Sequence, residues 1–255
     1  MVSQRFSLTL VFWAVSALIA APNSAPPAIR EASNILRGLP IVFEPNEGRS
    51  NRDVKFSART SDYRLFLTAR GATLSLFQPN AEQPRLVSIS LLNANRKAEI
   101  SGEQAAPGRT SYFLGASKQN WRTGIANYAR VRYRAVYPGI DLVFYGSGSS
   151  LEYDFLVRPG ADPNRIRLQF QGMDGMKITP EGNLMVVTSG VRLVQKSPVV
   201  YQEEPGSARR QVRGRFKLLS RNVAGFEIEP YDRSLPLTID PVLTYSTLIG
   251  MCSNA

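Results

Sequence analysis

The strongest constraint on the fold is a period of two in the hydrophobic residues, which begins near Ile41 and continues through most of the chain. In the segment 63–68, for example, Tyr63, Leu65 and Leu67 fall on one face. Such alternation is typical of β-strands with one buried face. Glycines and prolines lie mostly between the short apolar runs, where turns belong. The sequence therefore predicts an all-β protein of antiparallel, sandwich-like sheets with little helix.

The chain of 255 residues is long enough for one large β domain or two small ones. No true linker separates the runs, but a waist is present near residues 158–163. We expect a first β lobe over residues 39–158 and a second over 159–242, packed against each other. Residues 22–38 are rich in proline and are predicted to be a flexible leader.

The N-terminus has the pattern of a signal peptide. Residues 6–19 form an almost unbroken apolar run behind one positive charge, Arg5. The run matches a signal h-region and is shorter than the roughly 20 residues that a membrane-spanning helix needs. Ala20, Ala21 and Ala25 supply small residues for cleavage. We therefore predict a signal peptide over residues 1–21, cleavage between residues 20 and 25, and a secreted or cell-surface protein without a later membrane span.

The composition excludes several chemistries. The chain has no histidine, and its one cysteine is Cys252. Serine–histidine and cysteine–histidine catalytic arrangements, thiolate metal sites and a disulfide framework are therefore excluded. We predict no cofactor, no metal site and no enzymatic activity.

Paired carboxylates remain as one catalytic alternative, because glycoside hydrolysis needs no histidine. Asp141, Glu152 and Asp154 lie on the two arms of a predicted hairpin over residues 140–157. The other interpretation is that these acids pair across strands with nearby arginines.

Basic residues recur at every second position in two segments, and the net charge is +11. Like charges on one strand face repel each other unless acids or an anionic ligand lie opposite. An aromatic side chain, Trp121, precedes the first segment and is suited to stack on a sugar. The candidate anion- or glycan-binding residues are therefore Trp121, Arg130, Arg132, Arg134, Arg213, Arg215 and Lys217. The alternative is that these basic residues are salt-bridged surface.

Several stretches together resemble a known family: residues 40–48, 112–115, 121–125, 131–146, 151–163, 197–203 and 235–250. They are similar to the β-rich N-terminal domain of exported bacterial proteins that carry SBBP (seven-bladed β-propeller) repeats. The resemblance covers about residues 39–250. It implies a secreted or cell-surface module that precedes a propeller array, and it implies no catalytic residues.

The chain departs from this resemblance at its end. In such proteins the segment like 242–250 leads into the first propeller repeat, whereas this sequence closes with residues 251–255. We interpret residues 243–255 as a tail that resembles the start of a truncated repeat. We therefore expect residues 244–250 to form an orphan strand without a partner in the domain.

The leading functional hypothesis is a non-enzymatic extracellular structural or interaction module of a bacterial surface or secreted protein. The first alternative is a binding module for anionic polysaccharide, and the second is a carboxylate-dependent glycoside hydrolase. Partners are expected among anionic glycans, other cell-surface polymers and cell-envelope proteins, with nucleic acid disfavoured in an exported protein.

Overall fold

The computed structural model describes residues 40–77, 83–113, 115–147, 150–188, 191–203 and 208–247, with the backbone alone at 245–247. The predicted signal peptide, the leader and the tail beyond residue 247 lie outside these ranges. The strands, numbered in chain order, are β1 (Glu44–Pro45), β2 (Val54–Arg59), β3 (Tyr63–Thr68), β4 (Gly71–Leu76), β5 (Arg85–Leu91), β6 (Ile100–Tyr112), β7 (Arg122–Tyr137), β8 (Ile140–Ser147), β9 (Ser150–Val157), β10 (Leu168–Gln171), β11 (Gly175–Ile178), β12 (Leu184–Thr188), β13 (Val191–Gln195), β14 (Val199–Gln202), β15 (Arg210–Val212), β16 (Gly214–Ser220), β17 (Val223–Ile228), β18 (Leu237–Asp240) and β19 (Val242–Thr247).

These strands form two antiparallel sheets. The first sheet has the order β1-β2-β3-β4-β5-β10-β17-β16. The second runs β11-β12-β13-β19-β9-β18-β14-β15, and β8, β7 and β6 extend it from the other side of β9. In the described part of the chain the helical content is two short 3-10 turns, Lys118–Asn120 and Pro163–Arg165. The predicted all-β, antiparallel, sandwich-like fold with little helix is confirmed.

The core lies between the two sheets, because alternate residues of each strand turn inward. Leu65 and Leu74 of the first sheet are fully buried, as are Leu142 and Phe155 of the second. The inward residues belong to one hydrophobic cluster that includes both sheets. Burial of this apolar surface is the main force that holds the sheets together.

The two sheets do not follow the expected division of the chain at residue 158. The first sheet combines β1–β5 with β10, β16 and β17, and the second combines β6–β9 with strands from the C-terminal half. Each sheet therefore contains strands from both predicted lobes.

The prediction that residues 244–250 form an orphan strand is wrong for residues 244–247, the part that the structure describes. β19 pairs with β13 from Val191↔Thr247 to Gln195↔Leu243, and it also pairs with β9 at Val242↔Glu152. Leu243 is buried in the space between the sheets. The backbone of residues 244–247 is thus paired within the second sheet.

Two details of the predicted strands can be compared with the structure. The hairpin over 140–157 is confirmed, with β8 and β9 paired from Ile140↔Val157 to Ser147↔Ser150. The alternation along β7 breaks at Ala135, which is exposed and has a φ of 48°. The register shifts here, and the following Val136 is buried in its place.

Candidate functional site

The predicted arginine row Arg130, Arg132 and Arg134 lies on the outer face of the second sheet, and its central member is held by two acids. Arg132 Nε lies 2.6 Å from Glu103 Oε1 on β6, and its Nη1 lies 3.3 Å from Asp141 Oδ2 on β8. The Arg132 side chain is only 20% exposed. The hydrogen bond from Arg132 to Glu103 raises the pKa of Arg132 despite its partial burial.

The two outer members of the row also have partners. Arg134 Nε lies 3.5 Å from Glu99 Oε2, and its Nη2 lies 3.8 Å from Glu103. The Arg130 guanidinium lies 5.0 Å from the centre of the Tyr145 ring, a cation–π contact. Acids and aromatic rings on the neighbouring strands therefore relieve the repulsion within the row.

The second basic row is more exposed. Arg213 Nη1 lies 3.9 Å from Glu229 Oε1, and Arg215 Nη2 lies 3.0 Å from Glu227 Oε2 on the paired strand β17. Lys217 lies opposite Gly225 on the edge strand β16. Arg213 borders open clefts that also contain Glu229. This surface carries both signs of charge rather than a row of free cations.

The three predicted carboxylates do not act as one group. Asp141 Oδ1 accepts a hydrogen bond of 2.7 Å from the amide of Ala135, in the bulge of β7, and its other oxygen contacts Arg132. Asp141 therefore supports the bulge. Asp154, the residue after Tyr153 on β9, instead accepts a hydrogen bond of 2.9 Å from the hydroxyl of Tyr145.

Asp154 has an unusual titration. Burial raises its pKa to about 6, although the hydrogen bond from Tyr145 opposes the shift. Asp240 on the adjacent strand β18 adds negative charge, and its own pKa is raised by burial and by Glu152. Asp154 can therefore hold a proton in mildly acidic solution, but its environment is explained by burial within the sheet face.

Trp121 lies at the far end of the β6–β7 hairpin, where the chain turns through Lys118–Asn120. Its indole Nε1 donates 3.1 Å to the carbonyl of Gly115, and its ring meets that of Phe113 edge-on at 5.0 Å. Phe113 is 63% exposed. We call Tyr112, Phe113 and Trp121 the hairpin end. Trp121 is nine residues from Arg130, roughly 30 Å of extended strand, so the structure does not bring it to the arginine row.

The hairpin end is fixed to the beginning of the first sheet. The Tyr112 hydroxyl donates 2.7 Å to Glu44 Oε2 on β1, and Arg49 Nη2 lies 2.9 Å from the same oxygen. The Arg49 guanidinium lies 4.1 Å from the centre of the Tyr112 ring. Phe43 and Tyr128 exchange backbone hydrogen bonds nearby. The sequence pattern does not indicate Glu44 and Arg49 as site residues, because 68 residues separate Glu44 from Tyr112.

A family model matches residues 43–242, from the beginning of the first sheet to the first residue of β19. Its description is "Domain of unknown function (DUF7948)". The chain belongs to this family. The match includes the hairpin end and both arginine rows. No curated protein and no solved structure is significantly similar to the chain.

The described ranges contain no group of three or more acidic, histidine or cysteine side chains arranged to hold a metal ion. They also contain no helix with the length and hydropathy that crossing a membrane requires.

Proposed function

We propose that the protein is an exported, non-enzymatic interaction module, the N-terminal part of a bacterial surface protein of the SBBP-repeat type, which contacts a cell-surface polymer through the hairpin end. The apolar run at residues 6–19 supports export. The resemblance over residues 39–250 supports the place of the domain in a surface protein. The mode of contact rests on the hairpin end.

The observation that carries the proposal is an aromatic pair on a fixed support, in which Phe113 is exposed and Trp121 is partly buried. Phe113 is 63% exposed and packs against Trp121, whose indole nitrogen is already hydrogen-bonded within the turn. The adjacent Tyr112 is tied to Glu44 and Arg49. Rigid aromatic side chains supply large contact areas with little loss of conformational entropy on binding. Their faces also stack on the apolar faces of sugar rings, so the hairpin end suits a polysaccharide.

The alternatives have less support. Binding of anionic polysaccharide through Arg130, Arg132 and Arg134 would have to compete with Glu99, Glu103 and Asp141, which already pair with the last two arginines. A glycoside hydrolase needs two acids about 5–10 Å apart that are free to act on substrate. Asp141 is engaged with the β7 bulge instead.

Export is tested by expressing the full chain in a bacterial host and sequencing the N-terminus of the protein found outside the cytoplasm. We expect a mature protein that begins between residues 21 and 26. An uncleaved chain that remains in the cytoplasm would contradict the proposal.

The contact is tested by co-sedimentation of the exported protein with cell-envelope polysaccharide of the producing bacterium. The variant Phe113→Ser/Trp121→Ser should reduce the bound fraction about tenfold, because stacking contacts each contribute on the order of 1 kcal/mol or more. The matched control is Leu218→Ser/Leu219→Ser, which removes two exposed apolar side chains from β16. Equal losses in both variants would show that the hairpin end has no special part in binding.

A further inference from the structure

An open cleft lies on the first sheet beside the hairpin end. It has a volume of about 390 Å³, and residues of β1, the loop after it, β2 and β3 line it, with Tyr112 of the hairpin end among them. This volume is within the range of small-ligand sites, which is roughly 300–1,000 Å³. The cleft is distinct from the two basic rows and contains none of their residues.

Two arginines of this cleft face each other without an acid as ion-pair partner among the described residues. Arg59 on β2 and Arg64 on β3 are directly opposite each other in the sheet register, and both are exposed. Like charges in this position repel. Neither arginine forms an ion pair with an acid in the described part of the chain, and Arg64 has only the Phe77 ring at 5.8 Å. Asp62, in the turn between the two strands, does not line the cleft.

A third arginine is held in place at the hairpin side. Arg49 is fixed by Glu44 at 2.9 Å and by the Tyr112 ring, and its side chain is 14% exposed. Its Nε has no hydrogen-bond partner among the described residues. Glu44 is the one acid that lines the cleft, against Arg49, Arg59 and Arg64. Positive charge is therefore in excess, and the acid is already engaged by Arg49 and Tyr112.

The remaining lining groups indicate what kind of anion fits. Phe66 and Tyr112 supply aromatic faces, and Ser57 supplies a hydroxyl. Asn46 is already committed, because its side chain bonds the backbone at Ser50, Asn51 and Val54 and thereby shapes the loop wall. A guanidinium fork matches a planar carboxylate with two parallel hydrogen bonds. Aromatic faces next to such forks suit a ring with apolar C–H faces.

We propose that this cleft binds the carboxylate of an acidic sugar unit, with Arg59 and Arg64 as the anion-binding residues and Phe66 and Tyr112 as the walls against the sugar ring. This inference rests on the proposed function for the polysaccharide ligand, and it adds the chemical class of the sugar. Tyr112 of the hairpin end lines the cleft, and it is the residue before Phe113 in the chain.

The test uses trigalacturonate as the probe and its methyl ester as the uncharged control, with binding to the full exported protein measured by calorimetry at low salt. Wild type should bind trigalacturonate and not the ester. Arg59→Gln/Arg64→Gln should weaken binding at least about tenfold, because two charge-assisted contacts are lost. Arg213→Gln/Arg215→Gln, which removes the same charge from the other sheet region, should leave binding within about twofold.

A further variant separates geometry from charge. Arg59→Lys/Arg64→Lys keeps both charges but removes the forked donors, and it should lose most of the affinity. Full binding by this variant, or an equal loss in Arg213→Gln/Arg215→Gln, would overturn the carboxylate site in favour of diffuse attraction. Tighter binding of a sulfated trisaccharide or an oligonucleotide than of trigalacturonate would also overturn it. Absence of trigalacturonate binding in a protein that still binds envelope polysaccharide would reject this inference and leave the proposed function standing.

Discussion

Two sets of three arginines, one on each sheet, have opposite electrostatic surroundings. We call them the paired row (Arg130, Arg132 and Arg134) and the cleft set (Arg49, Arg59 and Arg64). In the paired row, Arg132 and Arg134 face acids on the flanking strands, and Arg130 lies over an aromatic ring. In the cleft set, Arg59 and Arg64 face each other, and only Arg49 has an acid partner.

The difference teaches that a row of like charges along one strand does not identify a binding site. The cross-strand neighbours decide whether the charge is used inside the fold or remains for a ligand. Periodicity along the chain showed the paired row clearly, whereas the cleft set is visible only when the register of β2 and β3 is known.

The largest expected effect is the loss of a partly buried charge partner. Arg132→Met removes the cation between Glu103 and Asp141, and it leaves the buried Asp141 with one fewer donor. We expect the free energy of unfolding to fall by about 2–4 kcal/mol, somewhat below the range for fully buried pairs because Arg132 is partly exposed. Urea denaturation at pH 7 measures the change.

The matched variant in the cleft set is Arg59→Met, at an exposed position opposite Arg64. It should change stability by less than about 0.5 kcal/mol, or raise it slightly through relief of repulsion. Similar destabilisation by Arg132→Met and Arg59→Met would remove the contrast between the two sets.

Asp154, which lies beyond the end of the paired row, is expected to have a smaller effect on the free energy of unfolding. Its pKa of about 6 in the folded protein lies above the unfolded value of about 3.9. The folded state therefore retains a proton that the unfolded chain releases between about pH 4 and pH 6. As a result, the free energy of unfolding falls as the pH rises through this window. Arg130, whose charge lowers the pKa of Asp154, compensates only in part.

Asp154→Asn should remove this loss, because the amide oxygen can still accept the hydrogen bond from Tyr145. Relative to wild type, the variant should gain about 1–2 kcal/mol at pH 7.5 and nothing at pH 4. Urea midpoints at both pH values check this, with Glu47→Gln as an exposed control. An equal gain at both pH values would show that the effect of the substitution does not depend on the proton.

The strands of the sandwich could be predicted where one face is apolar. Tyr153 and Phe155 alternate with the acids of the predicted hairpin, and both lie in the core. β6 was missed, because its sequence has glycines, Pro107 and few apolar residues, and its position in the sheet depends on pairing with β7. A strand defined by its partner rather than by its own burial leaves little periodic signal.

The candidate site was harder to predict than the fold. Trp121 was identified, but its neighbour Phe113 and its support through Glu44 and Arg49 depend on contacts between distant segments. Arg59 and Arg64 are close in sequence, and a predicted β2–β3 hairpin would have placed them opposite each other. The sequence does not predict a strand over residues 54–59, so it does not indicate this pairing.

The smallest expected effect concerns the second basic row, where ion pairs are present but exposed. Arg215 and Glu227 are opposite each other on β16 and β17, with a 3.0 Å contact and an Arg215 side chain that is 71% exposed. Exposed pairs contribute little, because water screens the charges and ordering two long side chains costs entropy. A double-mutant cycle with Arg215→Ala and Glu227→Ala should give a coupling energy of about 0.3–0.5 kcal/mol.

The same cycle at Arg132 and Glu103 should give a value several times larger, since both side chains are mostly shielded from solvent. Equal coupling energies in the exposed pair and the shielded pair would show that burial does not explain why the paired row stabilises the fold. The contrast with the cleft set would then depend on the strand register alone.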